Sequence, residues 1–283
     1  MVTRRDADAR PSATAPIGVF DSGIGGLTVV RELMRQLPHE RIIYFGDTAR
    51  VPYGPKSPAT VLRYSEEASR FLLSRDVKMI VVACNTATAH AAERLSQLHA
   101  VPVAGVIEPG ARAAVDASAS ARVGVIGTAG TIASGAYDLA VRRRLPDARV
   151  YAQPCPLFVP LVEEGWSDHP SARLIAEEYL RPIREMDVDV LILGCTHYPL
   201  LRPLIADVMG ADVRLVDSAA ETAREVAELL DAHDLCRTAT APPSYAFAAS
   251  DSPLRFRDVG RSFVGDRIRV VEKVDVEGFG HTA

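Results

Sequence analysis

Two kinds of hydrophobic segment alternate along this chain. Short runs rich in Val, Ile and Phe read as buried strands, and longer stretches carry a helical period. That alternation marks βαβ units and parallel sheets. Ile17–Phe20, Arg41–Phe45, Met79–Ala83 and Val101–Val106 read as strands, separated by helices near Leu27–Leu37, Ala59–Ser74 and Ala87–Leu98. The pattern then restarts with strands at Val123–Ile126, Arg149–Ala152, Val188–Leu193 and Val213–Val216, and helices near Gly135–Leu145, Ala172–Met186 and Leu200–Val208. Beyond Asp217 the sequence predicts a helix over Ala219–Ala232 and a linker over Thr238–Ser244. A strand at Tyr245–Ala249, a helix near Leu254–Phe263 and a last strand at Ile268–Val271 follow.

The restart is more than a count of elements. Each half opens with a strand running into a small-residue turn, Asp21-Ser22-Gly23-Ile24-Gly25-Gly26 in the first and Gly127-Thr128-Ala129-Gly130-Thr131 in the second. Each half also carries a cysteine at the end of a later apolar run, 64 residues after Phe20 and 69 after Ile126. This reads as an internal duplication giving two pseudo-symmetric α/β domains with mainly parallel sheets. The expected division is a disordered tail over 1–16, a first domain over 17–107 plus 219–283, and a second over 108–218.

Composition narrows the class. The 283 residues, 48% hydrophobic and 24% charged, suffice for two cores. A net charge of −4 gives no electrostatic reason to expect nucleic acid. No apolar run approaches the roughly 20 residues of a membrane span, and Arg4 and Arg5 lack the apolar stretch of a secretory signal, so a cytoplasmic protein is expected. Four cysteines in a chain of this length are expected as thiols, with Cys155 and Cys236 as bystanders, and the absence of Cys-x-x-Cys and His-x-x-x-His spacing speaks against zinc, although Cys84, Cys195 and His197 could in principle converge on a metal.

The chemistry gathers at the other two cysteines. Val81-Val82-Ala83-Cys84-Asn85-Thr86 and Ile192-Leu193-Gly194-Cys195-Thr196-His197 place each thiol where a strand gives way to a loop, the edge at which open α/β sheets bind ligands. A single buried cysteine there is an ordinary small filler; two in matching contexts suggest a site with two equivalent faces. Thiolates need cationic neighbours or helix N-termini, and each thiol is expected to precede a helix. His197, two positions from Cys195, is a candidate partner, and Glu163 follows an apolar turn. The turn at Asp21 departs from G-x-G-x-x-G, so a dinucleotide site is disfavoured, and Asp21 could instead receive an ammonium or orient a thiol. The turn Tyr53-Gly54-Pro55-Lys56 could close over a ligand.

Together Val19-Phe20-Asp21-Ser22-Gly23-Ile24-Gly25-Gly26-Leu27, Asp47-Thr48-Ala49-Arg50-Val51-Pro52-Tyr53-Gly54, Ala83-Cys84-Asn85-Thr86-Ala87 and Gly194-Cys195-Thr196-His197-Tyr198-Pro199 strongly resemble the glutamate-acting members of the cofactor-independent aspartate/glutamate racemase family. The resemblance runs from about Ile17 to the last strand. It implies an active site in the cleft between two domains, where Cys84 and Cys195 act as acid and base on opposite faces of the substrate α-carbon. It further implies that Asp21 assists the first thiol, and that His197 and Glu163 assist the second. Asp21, Ser22, Tyr53, Gly54, Asn85, Thr86, Thr196 and His197 would contact substrate, with Thr128 and Thr131 as weaker candidates.

The implied reaction interconverts L- and D-glutamate, supplying D-glutamate for peptidoglycan, in a homodimer without metal or cofactor. Lys56, Lys78 and Lys273 are the only lysines, and none lies in an evident Schiff-base motif. Some members of the family inhibit DNA gyrase, so a gyrase contact through the N-terminal tail is an alternative role. An amino-acid-binding module is another, although it would need no paired thiols.

Overall fold

The computed structural model describes residues 11–239 and 241–279. Its first half contains strands β1 (Ile17–Asp21), β2 (Ile42–Gly46), β3 (Met79–Val82) and β4 (Val103–Gly105), connected by helices α1 (Leu27–Gln36), α2 (Pro58–Ser74) and α3 (Asn85–Leu98). Helix α4 (Ile107–Ala117) leads to β5 (Arg122–Gly127), α5 (Ala129–Ala133), α6 (Ala136–Arg144), β6 (Arg149–Pro154), α7 (Phe158–Glu163), α8 (Pro170–Arg184) and β7 (Val190–Gly194). After α9 (Arg202–Met209), β8 (Arg214–Asp217) and α10 (Ser218–Ala232), the chain closes with β9 (Tyr245–Ala249), α11 (Pro253–Val264) and β10 (Val271–Lys273).

These strands form two sheets, ordered β10-β9-β2-β1-β3-β4 and β6-β5-β7-β8. Every pairing is parallel. The first four strands of each half share one order, which puts β3 and β7, and the cysteines that follow them, in equivalent positions. The duplication read from the sequence is thus a repeat of topology, with β9 and β10 added outside β2.

Side-chain alternation explains why the strands are apolar throughout. Ile17, Val19, Ile42, Tyr44, Met79 and Val81 face one cluster with α1, α10 and α11, while Phe20, Phe45, Ile80 and Val82 face another with α2 and α3. In the second sheet Val123, Val125, Val190 and Ile192 pack against α4 and α6, and Ile126, Leu191 and Leu193 against α7, α8 and α9. Both faces of both sheets are covered, as parallel sheets require.

Two helices cross over. Helix α4 follows the first sheet's edge strand yet packs on the second sheet, and α10 follows the second sheet's edge strand yet packs on the first. Asp217 starts α10 by accepting the Ala219 amide at 2.9 Å.

Several elements differ from expectation. Helices α4 and α5 were not anticipated. The last strand is Val271–Lys273 rather than Ile268–Val271, because the fully buried Ile268 plugs the core and pairing with β9 begins only at Val271. Residues 11–16, expected within a disordered tail, are held to the sheet; residues 1–10 lie outside the described residues. Pro16 O accepts the Lys78 amide at 2.9 Å, and Ala13 O accepts Lys78 Nζ at 2.8 Å. The same buried ammonium meets Glu40 Oε2 at 2.6 Å and Leu235 O at 2.7 Å. Among the described residues, no helix is long and apolar enough to cross a membrane.

Candidate active site

The carboxyl ends of the two sheets converge on a small cavity of about 30 Å³. Ser22, Tyr53, Gly54, Cys84, Asn85, Thr86, Thr128, Cys195, Thr196 and His197 line it, all anticipated from sequence. Val51, Pro52 and Val159 line it as well, and were not. Val51 and Pro52 sit inside a quoted motif and could have been drawn from it; an isolated Val159 on a short helix carries no such signal. Asp21, Glu163 and Thr131, also anticipated, are not among the residues that line it. Cys84 and Cys195 are each 6% exposed.

Cys84 is the N-cap of α3. Its Sγ accepts the Ala87 amide at 3.5 Å and lies 3.7 Å from Ser22 Oγ. Burial, reinforced by the charge of Asp21, pushes this thiol well above the ordinary range; the Ala87 and Ser22 hydrogen bonds pull the other way. Asp21 Oδ2 accepts the amides of Gly23 at 3.3 Å and Gly26 at 2.9 Å. A carboxylate therefore occupies the turn's anion-binding amides, the place a phosphate would take in a nucleotide site. Asp21 Oδ1 is buried and has no hydrogen-bond partner.

Cys195 has a different setting. No α-helix begins at it, contrary to expectation; a 3₁₀ turn over Tyr198–Leu201 comes first, with the Tyr198 amide on Cys195 O at 3.1 Å. Its partner is His197, whose Nδ1 stands 3.9 Å from Sγ and whose Nε2 stands 3.1 Å from Glu163 Oε1. Burial disfavours the imidazolium, but its bonds to Cys195 and Glu163 prevail and raise His197 to about 10. The reciprocal bond from His197, working against burial, holds Glu163 below the usual carboxylate range. Glu163 also lines a neighbouring cavity of about 160 Å³ with Arg255 and Phe256.

The halves touch closely around these thiols. Thr28 Oγ1 donates to Thr196 O at 3.1 Å. A Cβ on Gly25 would lie 2.3 Å from Thr196 Oγ1 and 2.5 Å from His197 Cε1, so only glycine lets the first turn approach the second thiol's loop. Thr86 Oγ1 from the first half meets Thr128 Oγ1 at 2.9 Å and Thr131 Oγ1 at 3.1 Å, and these two are 3.0 Å apart. Asn85 Oδ1 accepts the Tyr137 hydroxyl at 2.7 Å, leaving Nδ2 without a partner. The Tyr53 hydroxyl turns away and donates to Asp47 Oδ2 at 2.5 Å. Arg50 Nε at 2.7 Å and Ser250 Oγ at 2.8 Å complete the shell of Asp47.

Cys155 is buried and Cys236 exposed, both free and both outside this cavity. Among the described residues, no group of three or more His, Cys, Asp or Glu side chains is placed to hold a metal ion.

Two like α/β halves, each sending one thiol and polar side chains into a shared small cavity, define the class of this protein. The chain belongs to the Asp/Glu/hydantoin racemase family, whose model matches residues 17–226. It is 54% identical to the glutamate racemase of Geobacter metallireducens over 261 residues, covering 92% of this chain and 97% of that one. In structure it is similar to glutamate racemase isoform RacE1 of Bacillus anthracis, with a TM-score of 0.89 at 40% identity over 92% of this chain and 97% of that one. The Francisella tularensis glutamate racemase, solved in complex with D-glutamate, gives a TM-score of 0.88 at 41% identity over 94% and 99%.

Proposed function

We propose that this chain interconverts L- and D-glutamate by proton transfer between Cys84 and Cys195. The observation that carries the reading is the arrival of one thiol from each half at a single cavity, with an amide-capping environment on one and an imidazole on the other. One thiolate removes the α-proton from one face, and the opposed thiol delivers its own proton to the other; exchanging the roles runs the reaction backward. The α-C–H bond breaks, its electron pair rests on Cα and the carboxylate, and the new C–H bond takes it up. Charge developing on the carboxylate needs donors in a site that excludes water. Thr86, Thr128, Thr196 and the Asn85 amide supply them, while Asp21, next to the lining residue Ser22 and with Oδ1 unpaired, suits the substrate ammonium. No cofactor enters these steps.

The choice of glutamate rests on the relatives named above and on the motif run Cys195-Thr196-His197-Tyr198-Pro199. Further parts of the same reading are the division into 17–107 plus 219–283 and 108–218, a cytoplasmic homodimer, and supply of D-glutamate to peptidoglycan. The crossing of α4 and α10 between sheets supports the division. Incubating the purified, metal-free protein with either enantiomer in heavy water tests the reaction: each should racemise and acquire deuterium at Cα. Glutamate turnover should exceed aspartate turnover about a hundredfold, since the shorter acid leaves its distal carboxylate short of fixed donors. Absence of racemisation overturns the reaction, and equal efficiencies overturn the substrate.

A further inference from the structure

Asn85 is left half satisfied by the fold. It is 2% exposed, it lines the central cavity, its Oδ1 is bonded and its Nδ2 is not. A carboxamide has an acceptor end and a donor end of nearly equal size, and rotation by half a turn exchanges them. Something must decide which end the cavity sees.

The deciding group is Tyr137, on α6 in the other half. It is 3% exposed, and its ring fits beside Gly194, where a Cβ would stand 3.0 Å from Cε2. Burial pushes the phenol's pKa up, so it keeps its proton, and the hydroxyl and Ser218, the first residue of α10, both lie beside Gly110 of α4. The Tyr137 hydroxyl donates its proton to Asn85 Oδ1 at 2.7 Å. The phenol therefore holds the acceptor end of Asn85, and the donor end is left for the cavity. Tyr137 does not itself line that cavity.

We infer that Tyr137 is a positioning residue that, through Asn85, keeps an amide donor turned toward an anionic substrate group. On the reading above, which this deepens, that group is a glutamate carboxylate. Without the phenol the amide is free to turn, and Oδ1 would then oppose the carboxylate oxygens.

A double-mutant cycle on the full chain tests this, using Tyr137→Phe, Asn85→Ala and the pair. Phenylalanine keeps the ring in its slot, and thermal unfolding reports whether each variant is folded. Tyr137→Phe should raise KM for both enantiomers, and Kd for D-glutamate by calorimetry, about tenfold while kcat stays within about threefold. In the Asn85→Ala background the same change should move Kd less than about twofold. An unchanged Kd in Tyr137→Phe, or an equal factor in both backgrounds, overturns the inference. A wild type that binds glutamate without racemising it overturns the reaction while the cycle is still read from Kd. A wild type that does not bind glutamate overturns both.

Discussion

The two half-sites occupy the same place in the same topology and solve the thiol problem in different ways. Cys84 sits on the first amides of a 14-residue helix, near a buried carboxylate, in surroundings that favour the neutral thiol. Cys195 has no helix of its own and stands beside an imidazole that, against burial, bonds to Cys195 itself and to Glu163 keep charged. Duplication therefore accounts for where the sulfurs are, and local neighbours account for how they differ. On the proposed mechanism one sulfur carries a proton while the other lacks one. The proposed reaction would thus draw on unlike neighbours at like positions.

The largest expected effect comes from removing either sulfur. Cys84→Ala and Cys195→Ala should each lower kcat/KM for racemisation by about a thousandfold or more, at the upper end of what acid–base groups contribute. Each variant keeps one base, so exchange of the α-proton with heavy water should persist for one enantiomer in one variant and for the opposite enantiomer in the other. Proton NMR of the recovered substrate measures this. Racemisation at wild-type rate in either variant would remove the comparison altogether.

How far this was legible in the sequence follows the same division. Strand ends, both thiols and the threonine and asparagine donors were readable because parallel strands buried on both faces give continuous apolar runs, and ligands gather where those runs stop. Helix α4 was not, since Pro109 and Gly110 interrupt a stretch of mostly small residues and mimic a loop. Helix α5, five residues long, is too short to show a period. Ile268 misplaced the last strand because an apolar residue filling a core beside a turn has the same pattern as the first residue of a strand. Tyr137 lies in no motif, and its link to Asn85 spans 52 positions, a contact that topology makes and periodicity does not reveal. The missing helix at Cys195 was hidden by symmetry itself: the matching context suggested a matching cap.

Next in size are changes to the partners. Asp21→Asn and His197→Asn should each reduce kcat by about ten- to a hundredfold, with primary isotope effects altered in different directions of the reaction. The overall equilibrium constant should stay near one. Isotope effects unchanged in both variants would mean that the two half-sites are equivalent after all. His197 also carries a stability signature. Its folded value, raised to about 10 from 6.5, makes its contribution complete below about pH 6.5 and removes it as pH rises toward 10. Glu163, lowered from 4.5, contributes above that value and loses its contribution as pH falls below it. The Tm difference between wild type and His197→Asn should therefore peak between about pH 5 and 6.5, at a few degrees, and shrink toward pH 10. A difference that grows with pH would contradict the charged pair.

The smallest effect concerns the segments that cover the two thiols. After β6, the second half contributes Val159 to the cavity wall, and Glu163 reaches His197 from the same short helix. After β2, the first half contributes Val51 to Gly54, but its polar atoms look outward: the Tyr53 hydroxyl is committed to Asp47, and Arg50 ties Asp47 to Glu67. Tyr53 thus covers the site with its ring and backbone and leaves the chemistry to other groups. Tyr53→Phe removes one buried hydrogen bond, worth about 1 kcal/mol, and leaves Asp47 with Arg50 and Ser250. It should lower Tm by about 2–4 °C while KM and kcat for glutamate stay within about threefold of wild type. Thermal unfolding and steady-state kinetics on one preparation decide it. A KM raised more than about tenfold at unchanged Tm would place the hydroxyl on the substrate and make the first half's cover as chemically engaged as the second's.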